Sequence, residues 1–319
     1  MSMAAPTTTP APVAPIETGR RRRPIRSRMR GGMIGYLFIA PVGLGLLVLY
    51  IYPAVATFAL SFTEWGPFGG NTFNGFTNYA AVFRNELFWR ALGNTLLYMV
   101  IGLLVIPIAI IIAALLNKPG LRGVGVYRTL YFIPFVTLPV ASGMVWKWLY
   151  NGDYGLINAF LSSFGVSGTY WVANPSTALL AIGIVQVWSQ IGYYLVIFIA
   201  GIKAIPQTYL EAAELDGAGP IRRFFLVVIP LLSPSIFFCS VINVIATLQI
   251  FDLIYVMSQS SSANPAFNSA QSIVTLFYQM AFVENNKGNA TALAFLLMLL
   301  IAALTAVQFR LQKKWVFYD

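Results

Sequence analysis

Leu96–Leu116 reads LLYMVIGLLVIPIAIIIAALL and contains no charged residue. A helix needs about 20 mostly apolar residues to cross roughly 30 Å of hydrocarbon, and this stretch supplies them. The rest of the chain has the same character, since 58% of its 319 residues are apolar and only 9% are charged, whereas soluble domains carry about 25% charge. The sequence therefore predicts a membrane protein.

Further stretches of similar length and apolarity bring the expected number of spans to six. The predicted fold class is all-α, a polytopic membrane protein with six transmembrane helices at about Met33–Leu60, Leu96–Leu116, Leu130–Tyr150, Ala178–Ala200, Leu231–Val256 and Ala290–Val307. Pro53 predicts a kink or break in the first span. Residues 1–30 are expected to be a disordered, basic cytoplasmic arm and residues 31–319 the transmembrane domain. The alternative, a signal peptide cleaved after Ala54-Val55-Ala56, fits less well because the apolar run is too long for one.

The basic residues are distributed unevenly over the two sides of this topology. An even number of spans places both termini on one side, and that side receives sixteen of the twenty Lys and Arg residues, seven of them in the arm. Cytoplasmic loops carry such an excess, so both termini are predicted to be cytoplasmic. The net charge of +10 then reflects orientation and attraction to anionic membrane lipid, and no nucleic-acid partner is needed to explain it.

The side-chain inventory excludes several chemistries. The chain has no histidine, so it has no imidazole base or ligand, and its single cysteine, Cys239, lies in an apolar run. No lysine follows a glycine, so a phosphate-binding P-loop is absent as well. We expect no catalytic residue, no metal site and no cofactor on this chain. A nucleotide, if the protein uses one, is bound by another subunit.

The connection between the fourth and fifth spans, residues 205–230, is predicted to fold as a helix, a tight turn and a second helix. Thr208 and Glu211 have the spacing of a capping box, which would begin the first helix. Gly217 can adopt the left-handed conformation that ends a helix, and Pro220 suits the first position of the next one. On these signals alone, a plain connecting hairpin and a docking element for another protein fit equally well.

The residues of this hairpin resemble the coupling loop of ABC importer permeases, a motif written E-A-A-x-x-D-G-A. The matching positions are Glu211, Ala212, Ala213, Asp216, Gly217 and Ala218, followed by Phe224, Ile229 and Pro230. Phe76–Tyr79, Trp146–Leu149 and Asp153–Asn158 resemble other segments of the same family, and Phe251–Val256 resembles its MalF/UgpA-type branch. The resemblance covers residues 33–319 and departs from the family at Ser258–Asn264, where a Gly-Gly-Pro turn is common.

The resemblance implies the type I importer fold and a set of partners. These would be a pair of ABC ATPase subunits that bind ATP and Mg²⁺, a second, MalG-like permease subunit, and an extracytoplasmic solute-binding protein. The family further implies a bacterial or archaeal inner membrane, a sugar or sugar-like solute, and coupling of ATP hydrolysis to transport through Glu211–Ala218.

Polar and aromatic residues inside the fourth and fifth spans are the candidates for a solute pathway. Amides and hydroxyls can bond sugar hydroxyls while aromatic rings stack on sugar C–H faces. The candidates are Gln186, Trp188, Gln190, Tyr193, Asn243, Thr247 and Phe251. Hydrogen bonding between helices explains the polar members equally well. Asp252 near the end of the fifth span either pairs with Lys147 or reaches water.

Three other functions remain as alternatives. The same architecture could carry a non-sugar solute such as a polyamine or a phosphate ester. An ion-coupled secondary carrier would need an intramembrane carboxylate that the spans do not place well. A membrane enzyme would need catalytic groups that this composition lacks.

Overall fold

The protein is described by a computed structural model that covers residues 25–65, 71–118, 120–258 and 265–317. Helices dominate the described part of the chain, and one two-stranded antiparallel ribbon joins β1, Thr63–Trp65, to β2, Asn71–Phe73. The helices are α1 (Ile25–Leu46), α2 (Tyr52–Leu60), α3 (Thr77–Arg84), α4 (Glu86–Leu103), α5 (Val105–Leu116), α6 (Val124–Val136), α7 (Pro139–Leu149), α8 (Leu156–Ser162), α9 (Ala178–Ala204), α10 (Gln207–Leu215), α11 (Pro220–Arg223), α12 (Ile229–Leu231), α13 (Ser233–Leu248), α14 (Asp252–Ser258), α15 (Pro265–Ala270), α16 (Ile273–Tyr278) and α17 (Lys287–Gln312).

The chain forms two compact units, one ending at Val55 and the other beginning at Ala56. In the first unit, α1 continues into a π-helical turn at Leu47–Ile51. This irregularity precedes Pro53, whose ring displaces the carbonyl four residues earlier, so the irregularity expected at Pro53 is present. Helix α1 already begins at Ile25, so the end of the segment predicted to be a disordered arm is helical. Residues 1–24 lie outside the described residues.

The described residues contain four to six candidate spans, which agrees with the predicted six when each of two bent helix pairs is counted as one span. Four helical stretches among the described residues are long and apolar enough to cross a membrane by themselves: Tyr36–Leu60, Glu86–Leu116, Ala178–Ala204 and Lys287–Gln312. Two further spans are bent pairs, α6 with α7 at 97° and α11–α12 with α13 at 67°. The third span predicted at about Leu130–Tyr150 therefore begins earlier, at Val124, and is bent in its middle.

Prolines cause the bend in the third span. Pro134 lies inside α6 and Pro139 begins α7. Because a proline disfavours helical geometry in the residue before it, Leu138 is extended, with ψ at 130°, and the chain turns there.

The predicted fifth span, Leu231–Val256, is wrong at its second end. Its helix α13 stops at Leu248, residues 249–251 are not helical, and α14 then starts at Asp252. Helix α14 packs on α7 through Gly143, where an added Cβ would lie 3.4 to 3.5 Å from side-chain atoms of Leu253, Val256 and Met257.

Helix α9 is the centre of the second unit, because α4, α5, α6 and α13 all pack against it. The α6–α9 crossing depends on Gly192, where a Cβ would lie 2.7 Å from the Phe132 Cα and closer still to the Tyr131 carbonyl oxygen. Only a residue without a side chain permits this backbone approach. Gly192 therefore determines how closely α6 can lie on α9.

Three segments predicted to be cytoplasmic lie at one end of this bundle. One apolar cluster contains Leu116, Ile202 and Phe224, which adjoin the two basic connections. The C-terminal tail reaches the same end, since the Phe317 backbone N–H donates to the Ser233 Oγ at 3.0 Å. This clustering agrees with the charge distribution read from the sequence.

The connections at the other end are held together by polar side chains. Asn78 donates to the carbonyls of Ser61 and Thr63, and Asn158 donates to the Thr169 carbonyl while accepting from Trp171 Nε1. Tyr170 donates to Asp153 at 2.6 Å, and this hydrogen bond to the carboxylate raises the pKa of the Tyr170 phenol.

The apolar residues of segment Ala270–Val283 fall near helical spacing, which fits a helix on the outer membrane interface, a cap over a cavity or a plain packing helix. Its residues Ile273, Leu276 and Met280 are buried in a cluster with Phe88 and Leu293. Packing is therefore its role in the described structure. Most of the polar loop Ser258–Asn264, residues 259–264, lies outside the described residues.

Candidate functional site

The hairpin between α9 and α13 has the predicted helix–turn–helix form. Gly217 adopts the left-handed conformation with φ at +75°. The Ala218 N–H bonds the Ala213 carbonyl at 2.9 Å and the Gly217 N–H bonds the Glu214 carbonyl at 3.0 Å. These two bonds form a Schellman motif, which ends α10 and turns the chain.

The start of the hairpin's second helix was predicted correctly, but the start of its first helix was not. Pro220 occupies the first turn of α11, as expected. Helix α10, however, begins after Pro206 with no side-chain cap. Thr208 therefore lies inside the first turn, and the predicted capping box with Glu211 is wrong.

The face of the hairpin away from the bundle is solvent-exposed. Glu211, Ala212, Asp216 and Gly217 are exposed, whereas Ala213 and Ala218 are half-buried. Leu215 at the tip is 90% exposed, which is unusual for a leucine that borders a turn. Within the described chain, the hairpin is thus not buried against its own protein.

An ion pair that the sequence analysis did not identify braces the hairpin. Arg223 Nη1 lies 3.1 Å from Glu214 Oε2 and joins α11 to α10. At the base, Phe224, Val228 and Ile229 pack on the apolar cluster that contains Ile202. The base is therefore attached to the spans while the tip is free of them.

A cleft of about 240 Å³ lies in the second unit, beside the bend between α6 and α7 and beside the non-helical residues 249–251 between α13 and α14. Pro134, Phe135, Thr137 and Pro139 line it from the break between α6 and α7. Gln249, Ile250, Phe251 and Asp252 line it from the break between α13 and α14. Non-helical backbone at membrane depth is tolerated where it lines a cavity, which makes this cleft the candidate solute site.

Two polar atoms in the wall of the cleft have no hydrogen-bond partner. Gln186 on α9 is 3% exposed, Ser142 on α7 is 5% exposed, and Gln186 Oε1 and Ser142 Oγ are both unpartnered. A buried polar group without a partner costs about 1–3 kcal/mol. A ligand that supplies the missing bonds would recover that cost.

Three of the seven predicted pathway residues line the cleft: Gln186, Gln190 and Phe251. Asn243 lies just behind it, because its Nδ2 donates to Gln190 Oε1 at 3.1 Å. Thr247 is buried and donates to the Asn243 carbonyl at 2.8 Å. Asn243 thus makes the interhelical bond that the alternative interpretation expected, and it also holds Gln190 in place.

The two remaining candidates are placed differently. Tyr193 stacks on Phe135, with ring centroids 4.9 Å apart, so it supports a lining residue from behind. Trp188 packs edge-on against Trp146 at 5.2 Å and does not line the cleft. The contribution of these residues to a solute pathway stays a prediction.

The sequence analysis missed Thr137, Ser142, Ser189 and Gln249, which also line the cleft. Pro134 and Pro139 were the signal for Thr137 and Ser142, since prolines inside a span indicate a break that can line a cavity. Asp252 is exposed at the rim of the cleft, and no ion pair joins it to Lys147 among the described residues. Of the two predicted alternatives for Asp252, exposure to solvent is the observed one.

The break in the fifth span is held by buried hydrogen bonds. Ser272 Oγ donates to the Ile250 carbonyl at 2.8 Å. This carbonyl lies where the helix is interrupted, so the serine supplies the hydrogen bond that a continuous helix would have made. Thr95 Oγ1 accepts from the Ile273 N–H at 2.9 Å, and the Tyr98 hydroxyl donates to the Ala270 carbonyl at 3.0 Å. One wall of the cleft is therefore tied to α4.

Comparison with known proteins gives consistent matches over most of the chain. Residues 80–316 match the family model described as "binding-protein-dependent transport system inner membrane component". The chain is 34% identical over 298 residues to a probable ABC transporter permease protein, YesP, of Bacillus subtilis, covering 92% of this chain and 95% of that protein. It is 32% identical over 287 residues to the sn-glycerol-3-phosphate transport system permease protein UgpA of Yersinia enterocolitica, covering 89% and 95%.

A solved structure has the same fold. The crystal structure of a bacterial ABC transporter that imports the acidic polysaccharide alginate contains a chain that superposes with a TM-score of 0.79, covering 91% of this chain and 98% of that one. At 20% sequence identity, this likeness concerns the fold alone.

Proposed function

The chain belongs to the family of inner membrane components of binding-protein-dependent transport systems, and we propose that it passes a sugar or sugar-like solute through the membrane when ATPase partners act on its hairpin. The single observation that carries this proposal is the cleft at the two interrupted spans, with its unpartnered Gln186 and Ser142. Solute sites of membrane transporters are built from such interrupted helices.

The proposed reaction has no covalent step on this chain. A solute delivered by an extracytoplasmic binding protein enters the cleft between the α6–α7 and α13–α14 breaks. Hydroxyl groups of the solute bond Gln186, Gln190 and Ser142, and Phe135 and Phe251 offer apolar faces. ATP and Mg²⁺ are held by the ATPase pair, and a second, MalG-like permease subunit completes the pathway.

The hairpin is the proposed contact for the ATPase pair. Its free tip contains Glu211, Asp216 and the exposed Leu215, while its base at Phe224 is packed on the spans. A displacement of the tip is therefore transmitted to α12 and α13, whose continuation lines the cleft. The hairpin and the spans attached to it would then have two arrangements, and the ATPase pair would favour one of them by moving the tip.

Both termini and the hairpin are proposed to be cytoplasmic. The three basic segments that the structure gathers at one end of the bundle support this orientation. The membrane is proposed to be the inner membrane of a bacterial or archaeal cell, and the relatives named above are bacterial.

Sugar is the favoured solute class because amides, hydroxyls and aromatic rings meet in one cleft. The names of the UgpA relatives refer to a phosphate ester of glycerol, so the two solute classes differ in charge.

Reconstitution with and without the ATPase subunits tests the proposal. We expect uptake into proteoliposomes only when this chain, the second permease, the ATPase pair and ATP are present together. Flux through this chain without the ATPase pair, driven by an ion gradient, would overturn it in favour of a secondary carrier.

A further inference from the structure

The cleft at the two span breaks has an uneven charge. Asp252 is the one charged side chain among the described residues that line it, and no Lys or Arg is among them. Its other polar groups are hydroxyls and amides: Thr137, Ser142, Gln186, Ser189, Gln190 and Gln249. A carboxylate with no basic side chain beside it lowers the local concentration of anions, so the cleft disfavours them.

The unpartnered atoms add a requirement on hydrogen bonding. Gln186 Oε1 is buried and lacks a donor, and an amide oxygen can only accept. The oxygens of a phosphate dianion or a carboxylate also only accept, so the charged end of a phosphate ester or a uronate cannot pair with Gln186 Oε1. A hydroxyl group can donate to Gln186 Oε1 and can also accept from Ser142 Oγ, which is unpartnered as well.

A cationic solute fits less well than an uncharged one. The carboxylate of Asp252 is exposed at the rim, whereas Gln186 and Ser142, the buried polar groups, are neutral. An ammonium group drawn into the cleft would leave water without a buried counter-charge, which is unfavourable. Hydroxyl groups need only hydrogen bonds there, and Phe135 and Phe251 suit the C–H faces between them.

We infer that the cleft selects an uncharged polyhydroxyl group and rejects phosphate esters and uronates, with Gln186 and Ser142 as the recognising residues and Asp252 as the residue that repels anions. This inference rests on the proposed function, because it assigns a solute class to the proposed solute site.

Thiol labelling measures the charge of the cleft without requiring transport. The only native cysteine, Cys239, is buried, so a cysteine placed by Ser189→Cys or Gln249→Cys reports on the cleft. Cationic and anionic methanethiosulfonate reagents of similar size are applied to the assembled transporter in nanodiscs. Ser176→Cys lies on an exposed outer connection. The ratio of its labelling rates with the cationic and the anionic reagent is the reference value away from the cleft.

We expect the cationic reagent to be favoured in the cleft by about tenfold over its ratio at position 176. Asp252→Asn should remove most of that preference. Equal ratios at the cleft and at position 176, or a preference for the anionic reagent, would overturn the inference even if ATP-driven uptake is normal.

Protection experiments then test the solute class. With an uncharged methanethiosulfonate reagent, raffinose should slow labelling at the cleft cysteine, whereas glycerol 3-phosphate, glucuronate and spermidine at equal concentration should not. Removing Gln186 Oε1 by Gln186→Leu should weaken protection by raffinose about fivefold, because one hydrogen bond to the solute is lost. Protection by an anion or by spermidine but not by raffinose would contradict the inference, whereas failure of ATP-driven uptake with the labelling pattern intact would count against the proposed function alone.

Discussion

The hairpin and the cleft are both interruptions of helical structure, but they are built from different kinds of interaction. The hairpin turns at Gly217 through bonds between residues at most five positions apart, and its tip is exposed. The cleft brings together residues from 134 to 253, and its break at Ile250 is held by Ser272 and tied through α16 to Thr95. A local turn suits a lever that a partner grips, and a wall tied across the bundle suits a site that must keep its shape.

One glycine in each region shows this difference. Position 192 must be glycine because there is no room for a side chain: a Cβ would meet the backbone of α6. Gly217 is required for its dihedral angle, because a Cβ there would meet nothing within 4 Å while φ is +75°. Substitutions that separate space from conformation therefore test the two regions independently.

The largest expected effect is that of Gly192→Val. Because the added atoms meet backbone that cannot rotate away, α6 must move off α9, at a cost of about 3 kcal/mol or more. Thermal unfolding of the solubilised protein should show a marked loss of stability, and uptake should be lost with it.

Gly93→Ala is the matched control for this change, since a Cβ at position 93 of α4 meets nothing within 4 Å. It should leave stability unchanged or slightly raised. A Gly192→Val variant as stable as this control would refute the close crossing of α6 and α9.

Gly217→Val is expected to act on coupling rather than on folding. A non-glycine residue in the left-handed region costs about 1–2 kcal/mol, and a β-branched residue lies at the upper end. We expect membrane insertion to be intact, ATP hydrolysis to continue and solute uptake per ATP to fall about tenfold.

Gly217→Asn is the control for backbone strain. It removes the glycine, as Gly217→Val does, but asparagine tolerates the left-handed conformation. It should retain most of the uptake. Equal loss in the Asn and Val variants would show that the turn geometry is not what matters at this position.

Gln186→Leu should have opposite effects on stability and on transport. The change removes a buried, unpartnered oxygen at similar volume, so the free energy of unfolding should be unchanged or higher by about 1 kcal/mol. Uptake should fall about fivefold through a higher KM, because a hydrogen bond to the solute is lost. Reduced stability with unchanged KM would mean that Gln186 serves packing alone.

Glu214→Gln should have the smallest effect. Its ion pair with Arg223 lies at the surface, where such pairs contribute about 0–1 kcal/mol. Stability should change by less than this amount and uptake by less than about twofold, measured in the same proteoliposomes. A larger loss of uptake would show that the pair positions the tip for its partner.

These differences also explain what could be predicted from the sequence. The hairpin was predicted through Gly217 and Pro220 because its turn is determined by neighbouring residues. The capping box at Thr208 failed because Pro206 sets where α10 begins. Six apolar spans were predicted from composition, but apolarity does not encode the 97° bend in the third span, which follows from Pro134 and Pro139.

The cleft could be predicted only in part. Gln186 and Gln190 were identified because polar residues in a span are uncommon, and Phe251 was identified because an aromatic ring can stack on a sugar. Ser142 and Gln249 were missed because their positions follow from where two helices stop. Trp188 and Gln186 are two positions apart on α9, which puts their side chains on different faces, and burial at Gln186 decides which of the two faces inward.

Cross-linking from the hairpin tip tests the central claim most directly. A photo-cross-linking amino acid at Leu215 is compared with one at Tyr154, exposed on the outer connection, in cells that produce the whole transporter. Cross-linking of position 215 but not position 154 to an ATPase subunit is the predicted result. Cross-linking of position 215 only to lipid or to an extracytoplasmic protein would contradict the account.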